Sequence, residues 1–461
     1  MRKFAYLFSI VYLCIITQVG ITFVLSTSGQ ANVVEYSAEV NSAQIVKVLT
    51  LNFNSEMVPA DQKYVLRNLR LEALTEWVKE KDPDIILIQE GWNTSQDASV
   101  IRSLAKAIDY DYTYTIGMGS PIFVHDKQWT KIYDSNGILA KKKFRMTERK
   151  EVKLPHSAFH IGDRRKWILV FGRVSYAVGA KLELENGKPI FVYTSHLIAH
   201  GKKKADQLFA MKKAVRNHLE SDGVKWEESN VVLGGDFNLD PDSPEIKTVL
   251  ADGYQDTWAV AHPSDPGLTI QGDPYLPNFN PIEIGAGQFP TMDKKGTPGR
   301  IDLIFSKSPQ QKVLASTIQF TVPYKGVWMS NHYGLFSTVS FGSGENPSGQ
   351  YPNPVRDYEG PTLSPVIMTV DEKSFENREL SLPSSEVGPR GFVVVNSSPW
   401  SLKVNLRGPG PIFTRSYVTL APSRMSAFAF YSSGNYLVEI DRSFNLSGPS
   451  TLFGQLNVSL P

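Results

Sequence analysis

Several polar residues fall where short apolar runs of the sequence end, and their types suit one kind of chemistry. Asn52 closes the run 46–53, Glu90 follows the run 85–88 and Gln89, and Asp236 and Asn238 follow 231–233. His196 lies just past 190–194, Asp302 within 301–305, and His332 shortly before 334–339. Buried strands of α/β folds commonly deliver such groups to one cleft beyond their C-terminal ends. Carboxylate and amide oxygens such as those of Glu90 and Asn52 suit Mg²⁺, with Mn²⁺ or Ca²⁺ also compatible, and the scarcity of clustered histidines argues against zinc. A hard cation beside two imidazoles suits hydrolysis of a phosphate ester: the metal polarises a phosphoryl oxygen, one imidazole takes a proton from water, and the other assists the departing oxygen.

The elements that must carry these groups read as a mixed α/β domain over residues 45–340. The apolar run 46–53 is a strand. A helix follows it, because Leu66, Leu69, Ala73 and Trp77 recur at spacings of three and four. Asp82, Pro83 and Asp84 stop that helix before a strand at 85–88, apolar throughout and so buried on both faces. Further strands are expected at 167–176, 180–184 and 190–194, the last two joined by the hairpin signal Asn186-Gly187. A helix over 206–219, then strands at 231–233, 301–305 and 334–339, complete the domain. Residues 341–364, rich in Gly, Pro, Ser and Asn, read as a linker. Beyond it only short strand signals remain, at 392–395, 402–406, 417–420, 426–431, 436–440 and 455–458, the pattern of a small β-sandwich over 365–461.

Composition narrows the setting. Residues 1–31 carry Arg2 and Lys3 ahead of a long apolar run and end in small residues, which reads as a signal peptide, with a retained membrane anchor as the alternative. The single cysteine, Cys14, lies inside that run, so the exported chain has no disulfide, cysteine nucleophile or thiolate zinc site. The whole sequence holds 48 basic and 46 acidic residues; without Arg2 and Lys3 the balance is 46 to 46. A neutral chain disfavours a protein that grips nucleic acid through its phosphates. Basic runs at 141–143, 164–166 and 202–204 read as solvated surface. No protein partner can be inferred.

The sequence resembles the endonuclease/exonuclease/phosphatase superfamily, which includes deoxyribonuclease-type nucleases, inositol polyphosphate phosphatases and neutral sphingomyelinases. The resemblance spans roughly 45–340 and rests on Leu51-Asn52, Ile88-Gln89-Glu90, Thr194-Ser195-His196-Leu197, Gly235-Asp236-Phe237-Asn238, Arg300-Ile301-Asp302 and Ser330-Asn331-His332-Tyr333-Gly334. It implies a deoxyribonuclease-like, two-sheet, four-layer α/β sandwich. It also implies roles: Glu90 and Asn52 at the metal, Asp236 and Asn238 orienting water and phosphate, His332 as general base held by Asp302, and His196 facing the phosphoryl group and assisting the leaving oxygen. In one place the chain departs from the family pattern, with Asn331 where Ser-Asp-His is usual. An amide there brings no negative charge, which bears on metal affinity and pH optimum.

Within the superfamily the leaning is toward secreted sphingomyelinases and a phospholipid or membrane-surface substrate. The segment 194–199 resembles their Thr-His-Leu-Gln-Ala stretch, and Pro266-Gly267-Leu268-Thr269 with Asn278 resembles a stretch near their substrate site. Trp92, two residues past Glu90, can offer a ring face to a choline ammonium, and is equally readable as packing. Asn93 and Asp134 fall near the places of a second metal site in bacterial sphingomyelinases. Tyr324 and Trp328 read as core, with an aromatic membrane contact as the alternative. The rival readings are a secreted nuclease, an inositol phosphate phosphatase, and a catalytically inactive binding protein.

Overall fold

The structure, a computed structural model, describes residues 44–53, 67–91, 93–94, 99–115, 118–123, 129–156, 175–184, 188–198, 203–270, 275–276, 289–290, 299–322, 324–325, 327, 329–330 and 332–342 of the N-terminal region; beyond these it describes 366–371, 378–382, 392–408, 417–420, 422–423, 425–428, 433–443 and 451–460. The expected signal segment 1–31, most of the linker 341–364, and residues 167–174 of the strand expected at 167–176 lie outside the described residues, as do Trp92, Asn278, Trp328 and Asn331. Among the described residues no helix is long and apolar enough to cross a membrane.

Two six-stranded sheets form the catalytic region. In the first, the order is Lys312–Gln319, Gly334–Phe341, Gln44–Asn52, Ile85–Gln89, Gly137–Lys141, Tyr110–Tyr114; in the second, Gln255–Asp256, Asp302–Lys307, Asn230–Asp236, Pro189–His196, Tyr176–Glu183, Arg145–Lys153. Each sheet has one parallel pair at its centre, Gln44–Asn52 with Ile85–Gln89 and Pro189–His196 with Asn230–Asp236, and antiparallel partners around it. The expected hairpin is present as Tyr176–Glu183 against Pro189–His196. Its first strand starts at Tyr176, before the Ala180 read from sequence, so the stretch divided there between two strands is continuous.

Strand side chains alternate between faces, and here both faces are covered. Val46, Val48, Ile85, Leu87, Ile190, Val192, Val232 and Ile304 meet in one core between the sheets. Leu49, Leu51, Ile86 and Ile88 face outward onto the helices Arg67–Lys81 and Val100–Ile108. On the other side Phe191, Tyr193, Val231, Leu233 and Phe305 pack against Lys203–Ser221 and Pro244–Ala251. Helix, sheet, sheet and helix give the four-layer α/β sandwich expected. Tyr324 is core, 4% exposed with its hydroxyl donating to Glu80 Oε2 at 2.7 Å.

Beyond residue 365 a three-stranded sheet (Val366–Val370, Phe392–Asn396, Met425–Phe428) and a five-stranded sheet (Arg378–Ser381, Thr451–Leu460, Gly434–Ser443, Ser401–Arg407, Tyr417–Leu420) share a separate core of Met368, Val394, Val404, Ile440 and Val458. A shared apolar face between two sheets is the definition of a β-sandwich.

Behind the second sheet the buried His218 accepts or donates through Nδ1 to the Tyr193 hydroxyl at 2.7 Å, and its Nε2 lies 3.2 Å from Glu148 Oε2. Burial, then the nearby Lys150 charge, push its pKa below the ordinary value, against the pull of Glu148. The unfolded chain protonates this imidazole near pH 6.5 while the folded chain resists it, so below about pH 6.5 unfolding takes up a proton and stability falls with falling pH. Thermal melts from pH 7.5 to 5.5 are expected to show a loss of Tm that is smaller in His218→Gln; equal pH slopes would remove this assignment.

Candidate active site

The site grows out of the inward-facing side of the inner strands. Along each of them the inter-sheet residues change from aliphatic to polar, ending in an amide on one sheet and in an ionisable group on the other: Val46, Val48, Thr50, Asn52 in one strand; Ile85, Leu87, Gln89 in the next; Ile190, Val192, Thr194, His196 and Val232, Gly234, Asp236 in the facing sheet. Where the aliphatic layer ends, Gln89 Nε2 donates across the sheets to Thr194 Oγ1 at 2.9 Å and to Thr50 Oγ1 at 3.2 Å. The next layer holds the ionisable groups. Register sets His196 beside Asp236 and Asp236 beside Asp302, so three ionisable side chains stand in a row across three strands.

Asn52 joins the two sheets at this level. Its Nδ2 donates to Glu90 Oε1 at 3.1 Å and to Asp236 Oδ2 at 3.0 Å. Glu90 has left the strand with φ 50°, and its side chain keeps 20% of its surface exposed. His196 stands between the same carboxylates, Nδ1 3.6 Å from Glu90 Oε1 and Nε2 3.5 Å from Asp236 Oδ2. Asn238, at φ 50°, donates its backbone N–H to Asp236 Oδ1 at 2.9 Å, an Asx-type turn. Its side-chain Nδ2 donates to the Leu197 carbonyl at 2.9 Å, tying the turn after Asp236 to the one after His196.

His332 donates from Nδ1 to Asp302 Oδ2 at 2.9 Å, while its Nε2 is buried with no hydrogen-bond partner among the described residues. Desolvation pushes this ring's pKa down, but the charge and hydrogen bond of Asp302, with Asp236 and Glu90 behind it, override burial and hold it up at about 9. Asp236, fully buried, is raised to about 7 by desolvation and then by the Asp302 charge, against His332, Asn52 and Asn238. His332 therefore has carboxylate neighbours in Asp302 and Asp236, the latter 3.9 Å from Nδ1, although residue 331 supplies none.

The structure thus brings together Asn52, Glu90, His196, Asp236, Asn238, Asp302 and His332. The side chains of Asn93 and Asp134 lie outside the described residues; backbone pairing sets Asn93 opposite Tyr133. Two residues matter more than their sequence suggested. Thr269 Oγ1 accepts the N–H groups of Ile301 and Asp302, each at 3.1 Å, and its carbonyl accepts Tyr333 N–H at 2.8 Å, so it joins the backbones of the Asp302–His332 pair. Ser330 Oγ donates to the Asn52 carbonyl at 2.5 Å and accepts His332 N–H at 3.2 Å. Resemblance drew attention to both segments, but no local pattern marks a hydroxyl that bonds to backbone far away in sequence.

The donor set fits a hard divalent cation. Three carboxylates, Glu90, Asp236 and Asp302, face two imidazoles, the Asp302 Oδ1 atom is buried without a partner among the described residues, and burial, then the Asp302 charge, hold the Asp236 pKa up. Asp236, Asp302 and His332 also offer ligand atoms within 4.8 Å of one another. The His332–Asp302 hydrogen bond already commits two of these three, which leaves Glu90 and Asn52 as the better oxygen donors for a cation.

The profile of the Endonuclease/Exonuclease/phosphatase family matches residues 49–332, a span that takes in every site residue above. The chain belongs to this family. Its members are phosphoester hydrolases that generally use a divalent metal, and the chain is a hydrolase of that kind. Similar solved structures include an endonuclease/exonuclease/phosphatase family protein from Leptotrichia buccalis (18% identity over 64% of this chain and 100% of that one, TM-score 0.43). Truncated Caenorhabditis elegans TDP2 is 18% identical over 64% and 97%, TM-score 0.40, and the human Nocturnin catalytic domain is 14% identical over 65% and 97%, TM-score 0.43. No curated protein matches the chain.

Gly235 precedes Asp236 with φ 146°, and a Cβ there would lie 2.2 Å from the Ser195 carbonyl oxygen. Gly235→Ala is expected to displace the Asp236 strand from His196, with a stability loss on the order of 1–3 kcal/mol and reduced turnover. The matched control, Gly223→Ala at φ 69° in open space, should cost only about 1 kcal/mol and leave turnover unchanged. Equal effects in melts and assays would contradict this packing argument.

Proposed function

We propose that this family member is a secreted, divalent-metal-dependent phosphodiesterase that splits sphingomyelin, or a related phosphocholine lipid, into ceramide (or diglyceride) and phosphocholine. The observation that carries the diester chemistry is the His332–Asp302 pair at 2.9 Å, with its Nε2 left for a proton, facing His196 across Asp236.

Each residue then has a task. His332 Nε2 takes a proton from the attacking water, and Asp302 fixes the ring through Nδ1 and stabilises the imidazolium that forms. Asp236, held by the amides of Asn52 and Asn238, orients that water, and Asn238 borders the phosphate. The bond between phosphorus and the lipid oxygen breaks as the water oxygen adds, and His196 supplies the proton that the departing oxygen needs. Glu90 and Asn52 would hold the cation, Mg²⁺ with Mn²⁺ or Ca²⁺ as alternatives; when bound it polarises a phosphoryl oxygen and offsets the carboxylate field that holds His332 up at about 9.

The lipid substrate is supported by the neutral chain after residue 31, by the segments 194–199 and 266–269, and by Trp92 as a ring face for choline. A nuclease needs a basic surface, and the run 141–143 has its charge offset by neighbouring carboxylates at the surface: Lys141 with Asp82 and Asp84 at 2.7 and 2.9 Å, Lys142 with Asp109, Lys143 with Asp84 at 3.3 Å. The C-terminal sandwich is assigned to holding the enzyme at a lipid or cell surface.

Sphingomyelin vesicles incubated with the purified chain and Mg²⁺ are expected to release phosphocholine. Chelator and Glu90→Gln should abolish release, and His332→Ala should lower it by about 10²–10⁴-fold. No phosphocholine, with nicking of plasmid DNA by the same preparation, would make the protein a nuclease; free phosphate from inositol phosphates would make it a phosphatase.

A further inference from the structure

The helix Arg67–Lys81 should show a solvated side, yet Asn68, Arg70 and Thr75 are as buried as Leu69, Leu74 and Trp77. The reason is the segment leading to His332: Phe320, Tyr324, Val327 and Met329 share a core with this helix. Phe320 packs tilted on Trp77 with centroids 5.0 Å apart. Polar bonds fasten the same segment, Tyr324 to Glu80 at 2.7 Å and Lys325 to Glu76.

Arg70 is the innermost of these anchors, 1% exposed. Its Nε donates to the Met329 carbonyl at 2.9 Å, its Nη2 donates to the Phe53 carbonyl, and the guanidinium lies 4.4 Å from the centre of the Phe53 ring. Phe53 follows Asn52, and Met329 precedes Ser330. Since Ser330 Oγ bonds to the Asn52 carbonyl and receives His332 N–H, the contacts close a ring through Arg70, Phe53, Asn52, Ser330 and Met329.

We infer that Arg70 is a positioning residue that fixes the His332 loop against the Asn52 strand end, and so sets the distance between the general base and the cation side of the site. This rests on the roles given to His332 and Asn52 above. Arginine is suited to it: a planar fork reaches two carbonyls at once and stays charged at every working pH, whereas a lysine ammonium is a single point on a flexible stem. Arg70 is buried and its guanidinium bonds to the backbone carbonyls of Phe53 and Met329, so its loss should act on geometry and leave binding alone.

The test is turnover of bis(p-nitrophenyl) phosphate with Mg²⁺ by the full chain and by Arg70→Lys, Ser330→Ala, the double variant and His332→Ala, with melts alongside. A misplacement near 1 Å costs about 10²-fold in rate, so Arg70→Lys should lose kcat on that scale while KM stays within about threefold. Because both residues act on one junction, the double variant should be no worse than the more severe single, within about threefold. Wild-type kcat in Arg70→Lys, or multiplying effects in the double variant, while His332→Ala is inactive, overturns this inference alone. Wild-type turnover in His332→Ala overturns the reading of the site, and Arg70 with it. Should Arg70→Lys fail to fold, Ser330→Ala decides: a kcat loss at unchanged KM supports the junction, and unchanged kcat overturns it.

Discussion

The site depends on one amide. One layer beyond the Gln89–Thr194 bond, Asn52 Nδ2 spans the two sheets among the ionisable groups, reaching Glu90 just past the end of the neighbouring strand and Asp236 on the other sheet. A fully buried carboxylate such as Asp236 is costly unless it is hydrogen-bonded, and Asn52 together with the Asn238 backbone supplies that bonding. The aliphatic layer between the sheets can therefore end in ionisable groups without opening to water, and the graded strands from Val46 to Asn52 and from Ile190 to His196 converge on a single cleft.

The same crowding explains the electrostatics. Burial, then the Asp302 charge, raises Asp236 to about 7, while Asp302, Asp236 and Glu90 outweigh the burial of His332 and hold it up at about 9. Such an arrangement favours the compact fold less than an apolar filling would, and it makes sense when a divalent cation shares the charge. Asp302 does two things at once: it fixes His332 through Nδ1 and is itself placed by Thr269, whose hydroxyl receives the backbone N–H at the start of the Asp302 strand. Positioning here is largely backbone work, done by hydroxyls and one guanidinium around the cleft.

Much of this was legible in sequence because strands covered on both faces read as unbroken apolar runs, as at 85–88 and 231–233, and the polar groups of the site follow where those runs end. Every ionisable or amide residue of the site stands on a strand, or within a few residues of a strand end, that the apolar runs had marked, and the family resemblance connected them. Other parts were hidden for physical reasons. Arg145–Lys153, with the sequence RMTERKEVK, is an edge strand whose charges blunt further pairing, and charge masks its alternation. The start of Tyr176–Glu183 was hidden by small residues. Arg70 lies off the Leu69, Ala73 and Trp77 stripe, and nothing local shows that Phe320, Tyr324, Val327 and Met329 will pack on its helix. The bonds of Thr269 and Ser330 are long-range and carry no spacing rule.

The most direct test of the account is titration of the metal-free protein with Mn²⁺, following the free ion by electron paramagnetic resonance. The account predicts one bound ion that His332→Ala retains and that Glu90→Gln and Asn52→Leu weaken by more than the roughly 10–100-fold typical of losing an outer-shell partner. Wild-type binding in Glu90→Gln, with loss of the ion in Asp302→Asn or His332→Ala, would contradict it and move the cation to the Asp236, Asp302 and His332 group.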